Sequence, residues 1–468
     1  MTETVTRDWT RENTERLSDF VVELTYADIP GNVRDAAKIF TLESVGHMLA
    51  GLRQPVGRIV ADYVRSLGGA GQATVVGAGF KATLAEAAYV NGTLAHADEL
   101  EAYGPLPGTG LVPPIVAALA VGEYVDGTLG TDYLTALVAG IEIQGRLGSA
   151  ALGAPDRGFM GFSLVGPGGA GAAAGKLLGL DRDQLRNCFG VALPLGGGSL
   201  RGCGYMSHVH EAGVPAKVGV EAAVLASRGF TGCPDILDGD FSWGEQFASG
   251  GRGYHPERLT ANLGAPFFLE SPGSAPKRYG SCGLTHQSIE GLIELMTEHG
   301  LSHEDIDHIE LLVPPFASRV AAFEEPITGE QAKFSISQGI AGILLDGIPT
   351  LPYMTAFSDE ASRDPRFAAA RGRVKITLDE SRPNVRGFDS QTVTAVLRDG
   401  RTLSRVVELS SIKGRDTAPV TLEHRVEMFH NTVEGRLRPD TARRVVDLVL
   451  DGENQPLRAL TELLGGTG

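Results

Sequence analysis

Residues able to do acid–base chemistry gather in one short stretch, His96, Asp98, Glu99, Glu101 and Tyr103. An imidazole, three carboxylates and a phenol can take, give and stabilise protons near neutral pH. Two later groups add to them. His208, His210 and Glu211 offer two imidazoles and a carboxylate; Lys277, Arg278, Ser281, Cys282 and His286 offer fixed cations, a hydroxyl, a thiol and an imidazole. Lysine and arginine can clamp a carboxylate. The backbone N–H groups of residues 281–285, at the start of a helix, would form a seat for an anion. Cys282 admits two readings, a nucleophile or a small packed thiol. His208, His210 and Glu211 raise metal binding, but no further ligand stands at a useful spacing. Two apart in an extended chain, His208 and His210 would point to opposite sides, so only one faces a pocket.

The first stretch lies between two helical patterns. Ala87, Ala88, Val90, Leu94 and Ala95 recur at helical spacing, as do Ile115, Val116, Ala118, Leu119 and Val121. Between them, residues 104–110 are rich in Gly and Pro and cannot continue a helix, while Pro113 and Pro114 suit the start of the next one. The polar groups therefore sit at a helix C-terminus beside flexible backbone. A solvated acidic loop is the competing reading.

Residues 11–66 predict two or three amphipathic helices, with His47 as a core histidine. Residues 70–80 form a turn-rich connector, and helical periodicity returns at 130–147, where Glu142 is a buried paired acid or a solvent-facing one. The Gly-rich run 166–175 lacks a preceding strand and a following Gly-Lys-Ser/Thr, which argues against a phosphate cradle. From Ile306 the period switches to two: residues 306–314, 374–380, 392–400 and 402–409 read as strands, with a hairpin turn at Asp399-Gly400. Residues 329–347 between them read as a helix, and the pattern is helical again from 417 to 464.

With 468 residues, 42% hydrophobic, the chain can bury large cores. Its formal net charge of −16 argues against nucleic-acid binding. The four cysteines form no Cys-x-x-Cys pair, so neither zinc nor disulfides are indicated. No apolar run is long enough to span a membrane and no secretory signal is visible, so a cytoplasmic location is expected.

Several blocks of this chain resemble the MmgE/PrpD family. They are the Asn91-Gly92…His96…Glu99 stretch with Val112-Pro113-Pro114, the Gly/Ala run to Leu178-Gly179-Leu180, the Gly213…Gly229 helix, Lys277-Arg278-Tyr279-Gly280-Ser281-Cys282 with His286, and Lys333-Phe334-Ser335 with Asp346-Gly347. The resemblance implies a mainly α fold: a large all-helical domain, residues 1–274 plus 412–468, with a smaller α+β lid at 275–411. It further implies a homodimer, a site between the domains, and no metal or organic cofactor. Family members remove a proton or carbon dioxide next to a carboxylate of a small organic acid. Mapped on this chain, the pocket would gather His96, Glu99, Tyr103, His208, Lys277 and Cys282 as catalytic residues. Arg278, His210, Ser281, His286 and Met160 would serve substrate binding.

Polar positions of the family are changed here. Met160 stands at a histidine, Pro107 at or near another, Ala102 at an acid, and His208 at a lysine. A substrate with fewer carboxylates, or a bulkier and more apolar one, than methylcitrate is therefore expected. The first reading is a cofactor-independent lyase, a dehydratase or decarboxylase, with His208 or His96 as general base and Lys277 and Arg278 as carboxylate clamp. An isomerase or epimerase using the same proton abstraction is the alternative, and a non-catalytic binding protein on the same fold is a third.

Overall fold

The computed structural model describes residues 12–104, 106–247, 252–349, 354–386, 390–408 and 421–466. Three helices open it, α1 (Glu12–Glu23), α2 (Gly31–Gly51) and α3 (Pro55–Leu67). The expected connector is an antiparallel hairpin instead, β1 (Ala73–Val75) with β2 (Phe80–Ala82). Then come α4 (Leu84–His96), α5 (Val112–Tyr124), α6 (Gly130–Ala150), α7 (Gly161–Leu177), α8 (Arg182–Ala192) and α9 (Met206–Ser227). The Gly-rich run lies inside α7, past its N-terminus, so its amides are spent in the helix.

Small residues let these helices meet backbone to backbone. A Cβ on Gly213 of α9 would lie 2.2 Å from the Tyr89 carbonyl of α4, and one on Gly92 would lie 2.8 Å from the Gly213 Cα. Only glycine tolerates such an approach. His96 lies one turn beyond Gly92, and His208 little more than one turn before Gly213, so the crossing delivers both imidazoles to the same end of the pair.

The second part begins with α10 (His286–His299) and β3 (Ile306–Val313), followed by short helices α11 (Pro315–Val320), α12 (Gly329–Ala332), α13 (Ile336–Asp346), α14 (Asp359–Arg363) and α15 (Pro365–Arg371), then β4 (Val374–Leu378), β5 (Gln391–Leu397) and β6 (Thr402–Val407). The expected helix over 329–347 is two, broken at Lys333-Phe334-Ser335, where the Ser335 hydroxyl accepts from Gln338 N to cap α13. The four strands form a mixed sheet in the order β4-β3-β5-β6, with β3/β4 parallel and the other pairs antiparallel. Buried residues alternate along β5, as period two requires.

Three closing helices, α16 (Leu422–Val433), α17 (Pro439–Asp451) and α18 (Arg458–Gly465), return to the first part. Phe429 joins its core, and Arg425 bonds Glu43 of α2 at 3.1 Å, both side chains being buried. The described residues thus have two main cores. One runs from Leu17 to Phe268 and resumes at Phe429; the other spans Tyr279 to Leu397. The expected boundary at 411/412 lies outside the described residues. Glu142 is buried and paired with Arg146 at 2.6 Å, and it accepts from Gly264 N, so it holds a loop rather than facing solvent. Among the described residues no helix is long and apolar enough to cross a membrane.

Candidate active site

The site begins where α4 ends. Ala97 caps the helix, and Glu99 takes a left-handed conformation (φ 55°), strained for a residue with a Cβ by about 1–2 kcal/mol. That turn reverses the chain and sends Glu99 and Glu101 back beneath His96. A short antiparallel bridge then fixes the segment: Tyr103 N donates to Ala275 O and Ala275 N to Tyr103 O, each at 2.9 Å. Two residues beyond Ala275, Lys277 is thereby delivered between the acids. Its Nζ donates to Glu99 Oε2 and to Glu101 Oε1, both at 2.7 Å.

The imidazoles complete the cluster. His96 places Nδ1 2.8 Å from Glu101 Oε2 and Nε2 3.1 Å from Glu99 Oε1. His208 places Nε2 2.8 Å from Glu99 Oε1 and 3.1 Å from His96 Nε2. Its other nitrogen lies 3.9 Å from Cys203 Sγ. All five members, His96, Glu99, Glu101, His208 and Lys277, are buried. Phe162 packs edge-on against His96 at 5.1 Å, and Phe334 against His208 at 5.0 Å.

Enclosure shapes the charge. Burial alone would raise the Glu99 carboxyl, but Lys277, His96 and His208 hold it well below its ordinary 4.5. Burial is likewise outweighed at Glu101, which His96 and Lys277 hold down. At Lys277 burial works against the ammonium, yet Glu101 and Glu99 raise its pKa. At His208 burial lowers, but Cys203 and Glu99 raise the imidazole well above 6.5. Burial is thus outweighed at His208, and its surroundings favour the protonated imidazole.

The cluster closes one side of a cavity of about 110 Å³, lined also by Tyr103, Thr109, Met160, Cys203, Cys282, Phe316 and Arg386. Met160, Cys203, Cys282, Phe316, Val320 and Phe334 of this lining pack together as a third, smaller cluster apart from the two main cores. Of the residues singled out from sequence, His96, Glu99, Tyr103, His208, Lys277, Cys282 and Met160 meet here. Met160 takes part through its side chain while its backbone caps α7.

Four others stand elsewhere. Arg278 is bound to Glu290, so it is no clamp beside Lys277. Ser281 is buried with its hydroxyl 2.8 Å from Thr285 Oγ1. His286 lies edge-on to Tyr103 and Tyr279 at 5.6 and 5.2 Å, with burial pushing its pKa to about 3. His210 turns outward on α9 to hydrogen-bond Tyr89 at 2.7 Å. On a helix, unlike an extended chain, positions two apart diverge by about 200°. The expected anion seat is partly spent, since Cys282 N donates to Lys333 O and Ser281 N to Tyr279 O. Burial lifts the Cys282 thiol to about 12, which fits the packed reading and not the nucleophile.

His47 is buried as expected, with its pKa lowered by burial to about 4. His208, His210 and Glu211 do not converge. A different set does: one ligand atom each from His96, Glu99 and His208 lie within 4.8 Å of one another. Two imidazoles and a carboxylate suit zinc, manganese or iron. In this cluster the Lys277 ammonium already sits on the second oxygen of Glu99.

Sequence reasoning did not single out Cys203, Phe162, Phe334 or Arg386, and left Glu101 outside the catalytic set. Glu101 and Phe334 carried a signal, since each stands inside a family-like motif. Cys203 and Arg386 carried none.

The chain matches the MmgE/PrpD N-terminal domain over residues 15–255 and the MmgE/PrpD C-terminal domain over residues 279–452. Among curated relatives, the cis-aconitate decarboxylase-like protein oryM of Aspergillus oryzae is 30% identical over 301 residues, 61% of this chain and 62% of that protein, so the aligned part falls short of two thirds of its length. The cis-aconitate decarboxylase of Aspergillus terreus is 24% identical over 93% of this chain and 92% of its own. The Homo sapiens cis-aconitate decarboxylase is 26% identical over 97% of this chain and 94% of its own.

Proposed function

The chain belongs to the MmgE/PrpD family, and from that premise we propose that it is a lyase acting on a small organic acid, with decarboxylation as its reaction. The observation that carries this reading is His208 Nε2 held 2.8 Å from Glu99 at the wall of the cavity, where Cys203 and Glu99 outweigh burial and favour its protonated form. Decarboxylation needs one proton donor and no base. The bond between the carboxylate carbon and its neighbour breaks, carbon dioxide leaves, and the electron pair enters a carbonyl or alkene conjugated with that bond. His208 then gives its proton to the carbon and recovers one from solvent. Lys277, fixed between two carboxylates, supplies a positive charge near the developing anion without reorganising. The names of the similar proteins agree with this choice.

Dehydration, which needs a base as well as an acid, is the second reading, with His96 as that base beside His208. The smaller part, with its α+β core, acts in this reading as the lid over the larger one. Side chains suffice for these steps, without metal or organic cofactor, and a homodimer is proposed as the working unit. A proton NMR time course in D₂O over a panel of organic acids tests the reaction. Release of carbon dioxide with one deuteron incorporated supports it. Loss of water would make the protein a dehydratase, exchange without conversion an isomerase, and silence across the panel a binding protein.

A further inference from the structure

The chain between α4 and α5 turns its carbonyls into the surrounding protein. Gln144 of α6 donates through Nε2 to Gly108 O and to Gly110 O, each at 2.7 Å. The Ser274 hydroxyl donates to Thr109 O at 2.9 Å, and the Thr109 hydroxyl to Leu106 O, also at 2.9 Å. Arg386 donates to Gly104 O. The chain also presses on α6: a Cβ on Gly148 would lie 1.7 Å from Pro107 O, and one on Gly108, at φ 87°, would lie 2.8 Å from Gln144 O. Gln144 is fully buried, and two carbonyls against its amide group make Nε2 the donor to both.

A planar trans peptide points its carbonyl and its N–H in opposite directions. The peptides that follow Gly108 and Thr109 are trans. With Gly108 O on Gln144 and Thr109 O on Ser274, the N–H groups of Thr109 and Gly110 are turned away from those side chains. Both residues line the cavity. Among the described residues neither N–H has a protein acceptor, although Thr109 is buried. A buried backbone donor without a partner is rare, so water or a bound anion must complete the pair.

We propose that the N–H groups of Thr109 and Gly110 seat a carboxylate of the substrate, and that Gln144 is the positioning residue that aims them. This rests on the reading of the cavity as the site of a small organic acid and deepens it. The acid group is placed on the main chain rather than on Lys277, whose ammonium already bonds Glu99 and Glu101. Fixed amide dipoles can hold an anion without a cation of their own.

The test uses the full-length protein and two acids, crotonate and cis-aconitate, each against its carboxamide, with dissociation constants from ligand-observed NMR. The wild type is expected to prefer each acid to its carboxamide by about tenfold, the margin of a charged acceptor over a neutral one. Gln144→Leu and Ser274→Ala release carbonyls and let these peptides turn. In each the acids are expected to weaken by about tenfold and the carboxamides little, with thermal unfolding as the check on folding. In protein labelled with ¹⁵N-threonine, the Thr109 amide, identified by its loss in Thr109→Ser, is expected to shift with the acids and not with the carboxamides. Equal weakening of acids and carboxamides would make Gln144 a structural residue only and overturn the inference. A wild type without the preference, or a Thr109 amide that does not shift, would overturn it as well. Turnover of an organic acid beside any of those results would leave the lyase reading standing. Acids bound with the expected preference that never react would overturn the lyase reading and leave this one.

Discussion

His96 and His208, 112 residues apart in the chain, meet with their Nε2 atoms 3.1 Å apart inside the protein. Glu99 Oε1 lies beside both, 3.1 Å from one and 2.8 Å from the other. Three polar atoms in mutual contact cannot each keep a proton, so the triangle shares protons. The proposed chemistry depends on where they reside.

His208→Gln keeps a hydrogen-bonding side chain of similar reach and removes the transferable proton. It is expected to lower kcat by about 10²–10⁴-fold. A fall in kcat with little change in KM, in a variant with unaltered circular dichroism, is the signature. An equal rise in KM alone would make His208 a binding residue.

Removing Lys277 strands two buried carboxylates. Lys277→Met is expected to destabilise the fold by about 3–5 kcal/mol, read from chemical denaturation. Adding Glu101→Gln should recover part of that loss by removing one stranded charge. Activity is expected to stay low in the double variant, which separates the stabilising role of Lys277 from its electrostatic one.

Stability should depend on pH through groups of opposite sense. His208 is held above 6.5, so its contribution is full below 6.5 and is lost as pH rises through its folded pKa. At Glu43 burial outweighs Arg425 and lifts the pKa to about 7, so its contribution is full below 4.5 and is lost as pH rises through about 7. Glu99 and Glu101, held below 4.5, contribute above 4.5 and lose it as pH falls through their folded values. The denaturation midpoint should therefore decline on the alkaline side, with a shallower decline in His208→Gln and in Glu43→Gln. A midpoint flat from about pH 5 to about pH 9 would contradict these shifts.

The crossing of α4 and α9 sets the distance between the two histidines. Gly213→Ala would place a Cβ 2.2 Å from the Tyr89 carbonyl, so the helices must part. A loss of about 1–3 kcal/mol is expected, together with reduced activity, although the variant touches no substrate. Unchanged melting and turnover would mean that the crossing is looser than the geometry requires.

Exhaustive dialysis against a chelator is expected to leave turnover intact, because the Lys277 ammonium between Glu99 and Glu101 already supplies the cluster with positive charge. Loss of activity restored by a divalent ion would instead make His96, Glu99 and His208 ligands.

Much of the architecture was legible in one dimension. Helical spacing in residues 84–96 and 112–124, and period two in residues 306–313 and 391–397, report which faces are buried, and burial is a local property of each element. The break at Lys333-Phe334-Ser335 was not legible, since its residues fit a helix as well as a cap. His96, Glu99 and Lys277 were found because they stand in ordered motifs at element ends.

The sequence by itself determined the helical frame, the sheet and the inventory of groups that can move a proton. Only the tertiary structure decided which of them face one another. It turned His210 to Tyr89, tied Arg278 to Glu290 and buried Ser281 and His286 outside the cavity lining. It also brought Cys203, Phe162, Phe334 and Arg386 into the lining. The reason is physical: a side chain's direction follows from helix phase and from the glycine contacts between helices. A pKa follows from burial and from charges far away in the chain, as at His208, where burial lowers and Cys203 and Glu99, the latter 109 residues before it, raise.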